Sequence, residues 1–164
     1  GMYDCTYGYS DEMKRRFGED NILLSFPFGL IKEYMFTKKG TQALTSIEQL
    51  RGKSVGATLG TERWHKHLTD LGIQVRYVVK DINSIRMLED GRIDVFLGFL
   101  PDLTKYIDRL SYSPQHPIQS SVDLLSCHET AQTKAFVEKI SESLQQMKED
   151  GSMAAMLGSY YLED

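Results

Sequence analysis

The sequence has few of the features that mark a disulfide-rich, membrane or nucleic-acid-binding protein. Its 164 residues include only two cysteines, too few to define a disulfide framework. No apolar run approaches the roughly 18 residues that a membrane-spanning helix needs. Its 19 basic and 23 acidic residues are interspersed, so we expect no basic face for nucleic acid or for an anionic membrane.

Sequence signatures of catalysis and of metal binding are missing as well. The chain contains no HExxH, GxSxG, Walker or CxxC pattern. Ser126, Cys127 and His128 are consecutive, and neighbours on a strand point to opposite faces, so they do not form a nucleophile and its base. On a helix His65 and His67 diverge by roughly 200° and do not form a metal pair. We therefore expect no enzyme activity and no cofactor.

The middle of the chain has the most regular pattern, which is typical of a parallel α/β sheet. Ile85 and Leu88 are predicted to face inward on a short helix capped by Asp81 or Asn83. The apolar segment at 93–99 reads as a strand buried on both faces. The other predicted elements here are strands at 53–58 and 73–79, helices at 61–71 and 102–110, and helix stops at Gly72 and Gly91.

The two ends of the chain are less regular. A long amphipathic helix is predicted from about Ala131 to Glu149, and a last helix is predicted to follow, capped by Ser152. The apolar residues of both helices are expected to pack in the core: Phe136, Val137, Ile140, Leu144, Met147, Met153, Met156, Leu157, Tyr160 and Tyr161. The further predictions are strands at 3–9, 31–37 and 122–125, a helix at 11–17 and a helical turn at 46–50.

One short stretch, VGATLGTERW at 55–64, indicates a ligand site. An apolar strand there runs through Gly60 and Thr61 into a helix start, where backbone N–H groups lack partners and suit an anionic or polar ligand. In open α/β sheets, ligands bind beyond the carboxyl ends of the strands. Two such ends are predicted, at 58–62 and 98–101. The same pattern is also expected if Thr61 only caps its helix.

Three motifs, in this order, resemble the family-3 extracytoplasmic solute-binding proteins of amino-acid ABC transporters: SIEQLRGKSVGATLGT, LEDGRIDVFLGFLP and ISESLQQMKEDGSMAAMLGSYY. The stretch YGYSDEMKRRF is similar to a fourth family motif, more weakly. The resemblance implies an α/β fold of the periplasmic binding protein-like II type, with two lobes of mixed sheet flanked by helices that close on a ligand by hinge motion. Residues 1–37 and 113–164 would form part of lobe 1 with the C-terminal helices, and 38–112 would form lobe 2.

The resemblance also implies a function. It predicts a periplasmic or otherwise extracytoplasmic receptor that binds a small molecule in the cleft between its lobes and works with an ABC transporter permease. At the matching positions Met13 replaces the arginine of lobe 1 and Phe99 replaces the aspartate of lobe 2, so both ionic anchors for an amino acid are missing. We expect a ligand other than a standard amino acid, either a different or less charged one such as an aromatic or apolar molecule, or a loss of binding altogether. The residues at family contact positions are Thr6, Gly8, Ser10, Thr58, Gly60, Thr61, Glu62 and Phe99.

The opening strand and helix unit of the family has no counterpart in this sequence. Lobe 1 is therefore expected to be incomplete, and a second copy of the chain is expected to cover its exposed strand edge, giving a homo-oligomer. The alternative is a truncated paralogue acting as a dimeric interaction or sensor domain. The same assignment puts Cys5 and Cys127 in one lobe, where a disulfide is feasible in an oxidising compartment and two unpaired thiols are the other interpretation.

Overall fold

The computed structural model describes residues 4–7 and 10–160. Contacts divide the chain into two compact units. Unit 1 comprises the chain up to Ile31 and again from Ser121, and unit 2 comprises Lys32–Ser120. The segment 38–112, predicted as lobe 2, lies wholly inside unit 2.

In chain order the strands and α-helices are β1 (Cys5–Tyr7), α1 (Ser10–Phe17), β2 (Ile22–Leu24), β3 (Gly29–Lys38), β4 (Val55–Thr58), α2 (Lys66–Asp70), β5 (Val75–Val78), α3 (Asp81–Glu89), β6 (Val95–Leu100), β7 (Leu110–Ser111), β8 (Gln119–Asp123), β9 (Leu125–His128), α4 (Ala131–Glu149) and α5 (Ser152–Leu157). Short 3-10 helices cover Glu19–Asn21, Ile47–Leu50, Glu62–His65, Thr104–Arg109 and Gly158–Tyr160. None of the helices among the described residues combines the length and the apolar character needed to cross a membrane.

The sheet of unit 2 has the order β5-β4-β6-β3-β7. Strand β4 pairs in parallel with both β5 and β6, which confirms the parallel arrangement predicted for the middle of the chain. The sheet becomes mixed because β3 pairs antiparallel with β6 and with β7. As β6 lies between β4 and β3, nearly all its side chains are buried, which explains its apolar sequence.

The helices of unit 2 lie where the sequence predicts them, but their caps, lengths and helix types differ from the prediction. Ile85 and Leu88 are buried on α3 as predicted, but Lys80 is the N-cap and Asp81 is the first helical residue, so the predicted cap was wrong. The segment predicted as one helix at 61–71 is a 3-10 turn at Glu62–His65 followed by the short α2. The predicted helix at 102–110 is a 3-10 helix, Thr104–Arg109.

Unit 1 contains a three-stranded antiparallel sheet of order β1-β9-β2. Strand β2 was not predicted, because three apolar residues after a turn give little periodicity. Cys5 lies directly opposite Cys127 in the β1–β9 pair, and the two sulfur atoms form a disulfide with an S–S distance of 2.10 Å. The interpretation of two unpaired thiols is therefore wrong. The single strand predicted at 122–125 is divided between the end of β8 and the start of β9.

The two C-terminal helices bury a narrower face than the sequence predicted. Helix α4 has the predicted bounds and buries Val137, whereas Phe136 is 47% exposed, because adjacent positions on a helix point about 100° apart. In α5, Met153 is buried and Met156 is 75% exposed. Both exposed residues correct the predicted core. Ser152 is not a cap either, since its N–H donates to Asp150 Oδ1 at 2.8 Å and Gly151 is the N-cap.

Candidate ligand-binding site

The candidate site lies at one edge of the unit 2 sheet, where the parallel strands end. Strands β4, β5 and β6 run in the same direction, so the residues that follow them meet at their shared carboxyl edge. The Leu59 N–H donates to the Val78 carbonyl at 2.8 Å, which joins two of these ends. Both strand ends singled out in the sequence, 58–62 and 98–101, lie at this edge. The structure thus brings together five of the predicted residues: Thr58, Gly60, Thr61, Glu62 and Phe99.

The turn after β4 differs from the expected row of unpaired N–H groups. Gly60 adopts φ 97°, and its N–H donates to the Glu62 carboxylate at 2.8 Å. The Thr61 N–H and hydroxyl both donate to the Thr58 carbonyl, at 3.3 and 2.7 Å. Both donors of Thr61 are thus used within the turn, contrary to the prediction that they face a ligand. Thr61 is the N-cap residue of the following 3-10 helix, but its side chain makes no capping hydrogen bond. The side chain of Glu62 takes the place that an anionic ligand was expected to occupy.

An aromatic pair adjoins this turn. The rings of Trp64 and Phe99 meet edge to face, with centroids 5.5 Å apart. The Trp64 N–H donates to the Thr61 carbonyl at 2.9 Å, which ties the indole to the turn. Both rings are half-buried, so each keeps part of its surface in contact with solvent. Trp64 therefore links Thr61, through its backbone hydrogen bond, to Phe99, through its ring.

Two further carboxylates follow the neighbouring strands. The Thr58 hydroxyl donates to Asp81 Oδ1 at 2.5 Å. The pKa of Asp102 is raised, because protein atoms displace water from its carboxylate and because the charge of Asp81 lies nearby. Sequence reasoning missed both residues, although an acidic residue soon after each buried strand is the signal that would have found them. Exposed Glu62 adds a third carboxylate after these strands, and the charge of Lys105 acts on Asp102 in the opposite direction to that of Asp81.

A buried polar network lies behind the aromatic pair. Glu33 is fully buried, and its Oε1 lies 2.5 Å from His65 Nε2 while its Oε2 accepts a hydrogen bond from the Gln119 amide. His65 Nδ1 lies 3.1 Å from the Tyr77 hydroxyl, and the two rings stack. The pKa of Tyr77 is raised by burial and then by the negative charges of Glu62 and Glu33. Nothing in the sequence spacing indicated this network, because its members come from four separate segments.

The network does not have the properties of a catalytic centre. A raised pKa keeps the Tyr77 hydroxyl protonated, which is the opposite of an activated nucleophile. His65 and Glu33 are buried, so neither is placed to reach a substrate. Among residues 4–7 and 10–160, no group of three or more His, Cys, Asp or Glu side chains is arranged to hold a metal ion.

The other predicted site residues belong to unit 1. Thr6 lies on β1 opposite Ser126 of β9, and Ser10 begins α1. Gly8 and the side chain of Ser10 lie outside the described residues. Met13, which was predicted to replace an arginine of lobe 1, is half-buried on α1.

Two surface concavities lie at the opposite edge of the unit 2 sheet and contain none of the predicted residues. Their volumes are about 430 and 660 Å³, and they are lined where β4, β5 and β6 begin. Lys53, Val55 and Ile93 are among the linings, and Lys53 and Ile93 contribute to both. They are therefore separate from the candidate site.

Comparison with known proteins adds the identity of the fold. No family model matches the chain. The L-cystine-binding protein TcyA of Bacillus subtilis strain 168 is 22% identical over 157 residues, which cover 89% of this chain and 55% of TcyA. The chain thus spans about half the length of this curated relative.

Solved structures show the same fold at lower identity. AncCDT-1, described as an ancestral amino acid-binding protein and precursor of cyclohexadienyl dehydratase, aligns with a TM-score of 0.74 and 16% identity, covering 99% of this chain and 70% of its own. It is also described as an ancestral cationic amino acid solute-binding protein. A histidine kinase sensor domain with similarity to periplasmic binding proteins aligns with a TM-score of 0.70 and 16% identity, covering 98% and 70%.

These comparisons agree with the resemblance carried by the motifs: the chain is similar in sequence to an amino-acid-type solute-binding protein, and it has the periplasmic binding protein-like II fold.

Proposed function

We propose that this chain is a solute-binding receptor module that binds a small organic cation at the carboxyl edge of the unit 2 sheet and performs no catalysis. The observation that supports it best is that a carboxylate follows each of the three parallel strands: Glu62, which accepts from the Gly60 N–H, and the neighbouring pair Asp81 and Asp102. An amine or a guanidinium group can pair with one of these carboxylates directly, which a ligand carboxylate cannot do.

The aromatic pair defines the rest of the proposed ligand. Aromatic faces attract organic cations and also pack against apolar groups. Trp64 and Phe99 therefore suit an amine or guanidine that carries an apolar or aromatic portion. Phe99 and Met13 cannot supply the charges that anchor an amino acid in the family, which supports a ligand other than a standard amino acid. AncCDT-1 is described as binding cationic amino acids, and the proposed ligand shares the cation with these but lacks their carboxylate.

Matched pairs of compounds test this proposal directly. Agmatine and arginine differ by one carboxylate, and so do phenethylamine and phenylalanine. We expect the two amines to raise the melting temperature and to give saturable heats in calorimetry, because a ligand at 100 times its Kd stabilises the folded state by about 2.7 kcal/mol. The proposal is wrong if arginine and phenylalanine bind as tightly as the amines, or if neither amine binds.

Substitution of Glu62 separates the role of its charge from that of its shape. Glu62→Gln retains an acceptor for the Gly60 N–H but removes the charge, so we expect agmatine to bind several-fold more weakly, the usual effect of about 1 kcal/mol. Glu62→Ala removes both the charge and the acceptor, so the ratio of arginine affinity to agmatine affinity should rise. Asp70→Asn, at the exposed end of α2, is the matched control and should leave both affinities unchanged. An unchanged ratio of arginine to agmatine affinity in Glu62→Ala would contradict the assignment.

The disulfide supports an extracytoplasmic location, since such bonds persist in oxidising compartments. In that setting we propose an ABC transporter permease as the partner and a homo-oligomer as the functional form. Alkylation of cell extracts under denaturing conditions, with and without prior reduction, reports whether Cys5 and Cys127 are paired in the producing cell. Light scattering of the purified chain measures its mass, and a monomer at micromolar concentration would contradict the oligomer.

A sensor domain is the second candidate, because a histidine kinase sensor domain has this fold with a TM-score of 0.70. The two functions differ in what responds to the ligand. A transport receptor stimulates the ATPase activity of its transporter in membrane vesicles when agmatine is present. A sensor domain does not stimulate it and instead alters the activity of a kinase fused to it.

A further inference from the structure

We propose that Glu33 and His65 are positioning residues that hold Trp64 against Phe99 and so give the candidate site its aromatic surface. The inference rests on the proposed function for its consequence in binding, but the placement of Trp64 is measurable without any ligand. Neither Glu33 nor His65 is placed to touch the ligand, because both are buried.

Glu33 and the aromatic pair are joined in a closed circuit of contacts. Glu33 on β3 lies directly opposite Phe99 on β6, and side chains directly opposite in an antiparallel pair lie on the same face of the sheet. The Phe99 ring contacts Trp64. His65 follows Trp64 in the same 3-10 turn and returns to the Glu33 carboxylate. Loss of the Glu33–His65 contact removes one link of this circuit, at the residue next to Trp64.

The ring of His65 is fixed through both of its nitrogen atoms. Nε2 lies 2.5 Å from Glu33 Oε1, and Nδ1 lies within hydrogen-bond distance of the Tyr77 hydroxyl. Because the His65 side chain is held at two points within a turn of four residues, the backbone of the adjacent Trp64 has less freedom to move. The polar contacts of His65 thereby restrict where the indole of Trp64 can lie.

The cost of burying Glu33 also favours a positioning role. A buried carboxylate is costly unless its oxygens are satisfied, and here His65 and Gln119 each take one oxygen. Apolar side chains of similar volume commonly fill such a space at no loss of stability. Hydrogen bonds depend on direction and apolar contacts do not, so the polar pair defines a single orientation of the turn that carries Trp64.

The fluorescence of Trp64 provides the test, because it is the one tryptophan of the chain. The variants are His65→Phe and Glu33→Leu, which remove the polar contacts, and Glu33→Gln, which keeps an acceptor for His65. His67→Phe, the same substitution at an exposed site two residues along, is the control. Circular dichroism and thermal melting identify the variants that remain folded.

In the folded variants we expect Trp64 emission to shift to longer wavelength and acrylamide quenching to increase. The effect should be largest for Glu33→Leu and His65→Phe, partial for Glu33→Gln and absent for His67→Phe. Agmatine should bind the first two variants roughly tenfold more weakly than the control. If His65→Phe and Glu33→Leu do not fold, Glu33→Gln and Tyr77→Phe provide the same comparison with smaller changes.

Two results would overturn the inference. One is unchanged Trp64 emission and quenching in every folded variant. The other is a displaced Trp64 with unchanged agmatine affinity, because the indole position would then not set the affinity. If agmatine fails to bind the wild-type protein, the proposed ligand is wrong, while a displaced Trp64 in the variants still supports the positioning role of Glu33 and His65.

Discussion

At the scale of single residues, this protein places charge where stability alone does not require it. Glu62 presents its carboxylate to the Gly60 N–H, and Asp102 lies near Asp81 although the proximity of two like charges is unfavourable. Residues that reduce stability in this way tend to cluster at functional sites. This is the physical reason to treat the carboxyl edge of unit 2 as the site.

Asp102→Asn is predicted to affect stability and binding in opposite directions. The raised pKa of Asp102 means that the folded state holds this proton more tightly than the unfolded state, so its contribution to stability is present below the unfolded pKa and is lost as pH rises through the folded pKa. The Asn variant should therefore be slightly more stable at pH 7, by at most about 0.5 kcal/mol for an exposed side chain, and should bind agmatine more weakly.

Urea unfolding at pH 7 and at pH 4, with agmatine calorimetry, checks this prediction. Asp108→Asn, an exposed carboxylate on the 3-10 helix Thr104–Arg109, is the control. A loss of stability in Asp102→Asn at pH 7 would show that its carboxylate is structural.

At the scale of elements, a side-chain cap defines the start of helix α4. Helix α4 begins after Thr130 because the Thr130 hydroxyl accepts the Thr133 N–H at 3.1 Å, while the Thr130 N–H donates to Thr133 Oγ1 at 2.9 Å. In the helices Glu62–His65 and Thr104–Arg109 no side-chain cap is made, and both are 3-10 helices instead of the longer α-helices predicted.

Thr130→Ala is predicted to destabilise the protein by about 1 kcal/mol, because it leaves the Thr133 N–H without its acceptor. Thr130→Ser retains the oxygen and should lose much less. Chemical denaturation followed by circular dichroism at 222 nm compares the two. Equal losses in both variants would assign the effect to the missing methyl group and not to the cap.

At the scale of the whole molecule, the disulfide joins segments that are 122 residues apart in sequence. Cross-links across long loops restrict the unfolded chain most, and a loop of this size corresponds to roughly 4 to 5 kcal/mol in the chain-entropy model. The bond also joins β1 to β9, which is the central strand of the sheet in unit 1.

Replacing both Cys5 and Cys127 with Ala is predicted to lower the free energy of unfolding by about 2 to 5 kcal/mol. A reducing agent should destabilise the wild-type protein to a similar extent and leave the double variant unaffected. Guanidinium unfolding with and without the reductant makes this comparison. If reduction changes neither protein, the bridge does not form in solution.

Much of the fold was predictable, because it follows from local patterns. The parallel strands β4, β5 and β6 are short apolar runs separated by turn signals, and α4 has a clear start and a clear end. The exposed Phe136 and Met156 were not predictable, because the width of a buried helix face depends on what packs against it. Strand β2 was missed since its pairing with β9, and not its composition, makes it a strand.

The candidate site divides in the same way. The sequence by itself determined which strand ends meet at the carboxyl edge, because short apolar runs followed by turn residues are local patterns along the chain. Only the tertiary structure decided that the Gly60 N–H donates to the Glu62 carboxylate and that four distant residues form one network: Glu33, His65, Tyr77 and Gln119. Hydrogen bonds between distant segments depend on distances and directions in space, which local sequence patterns do not specify.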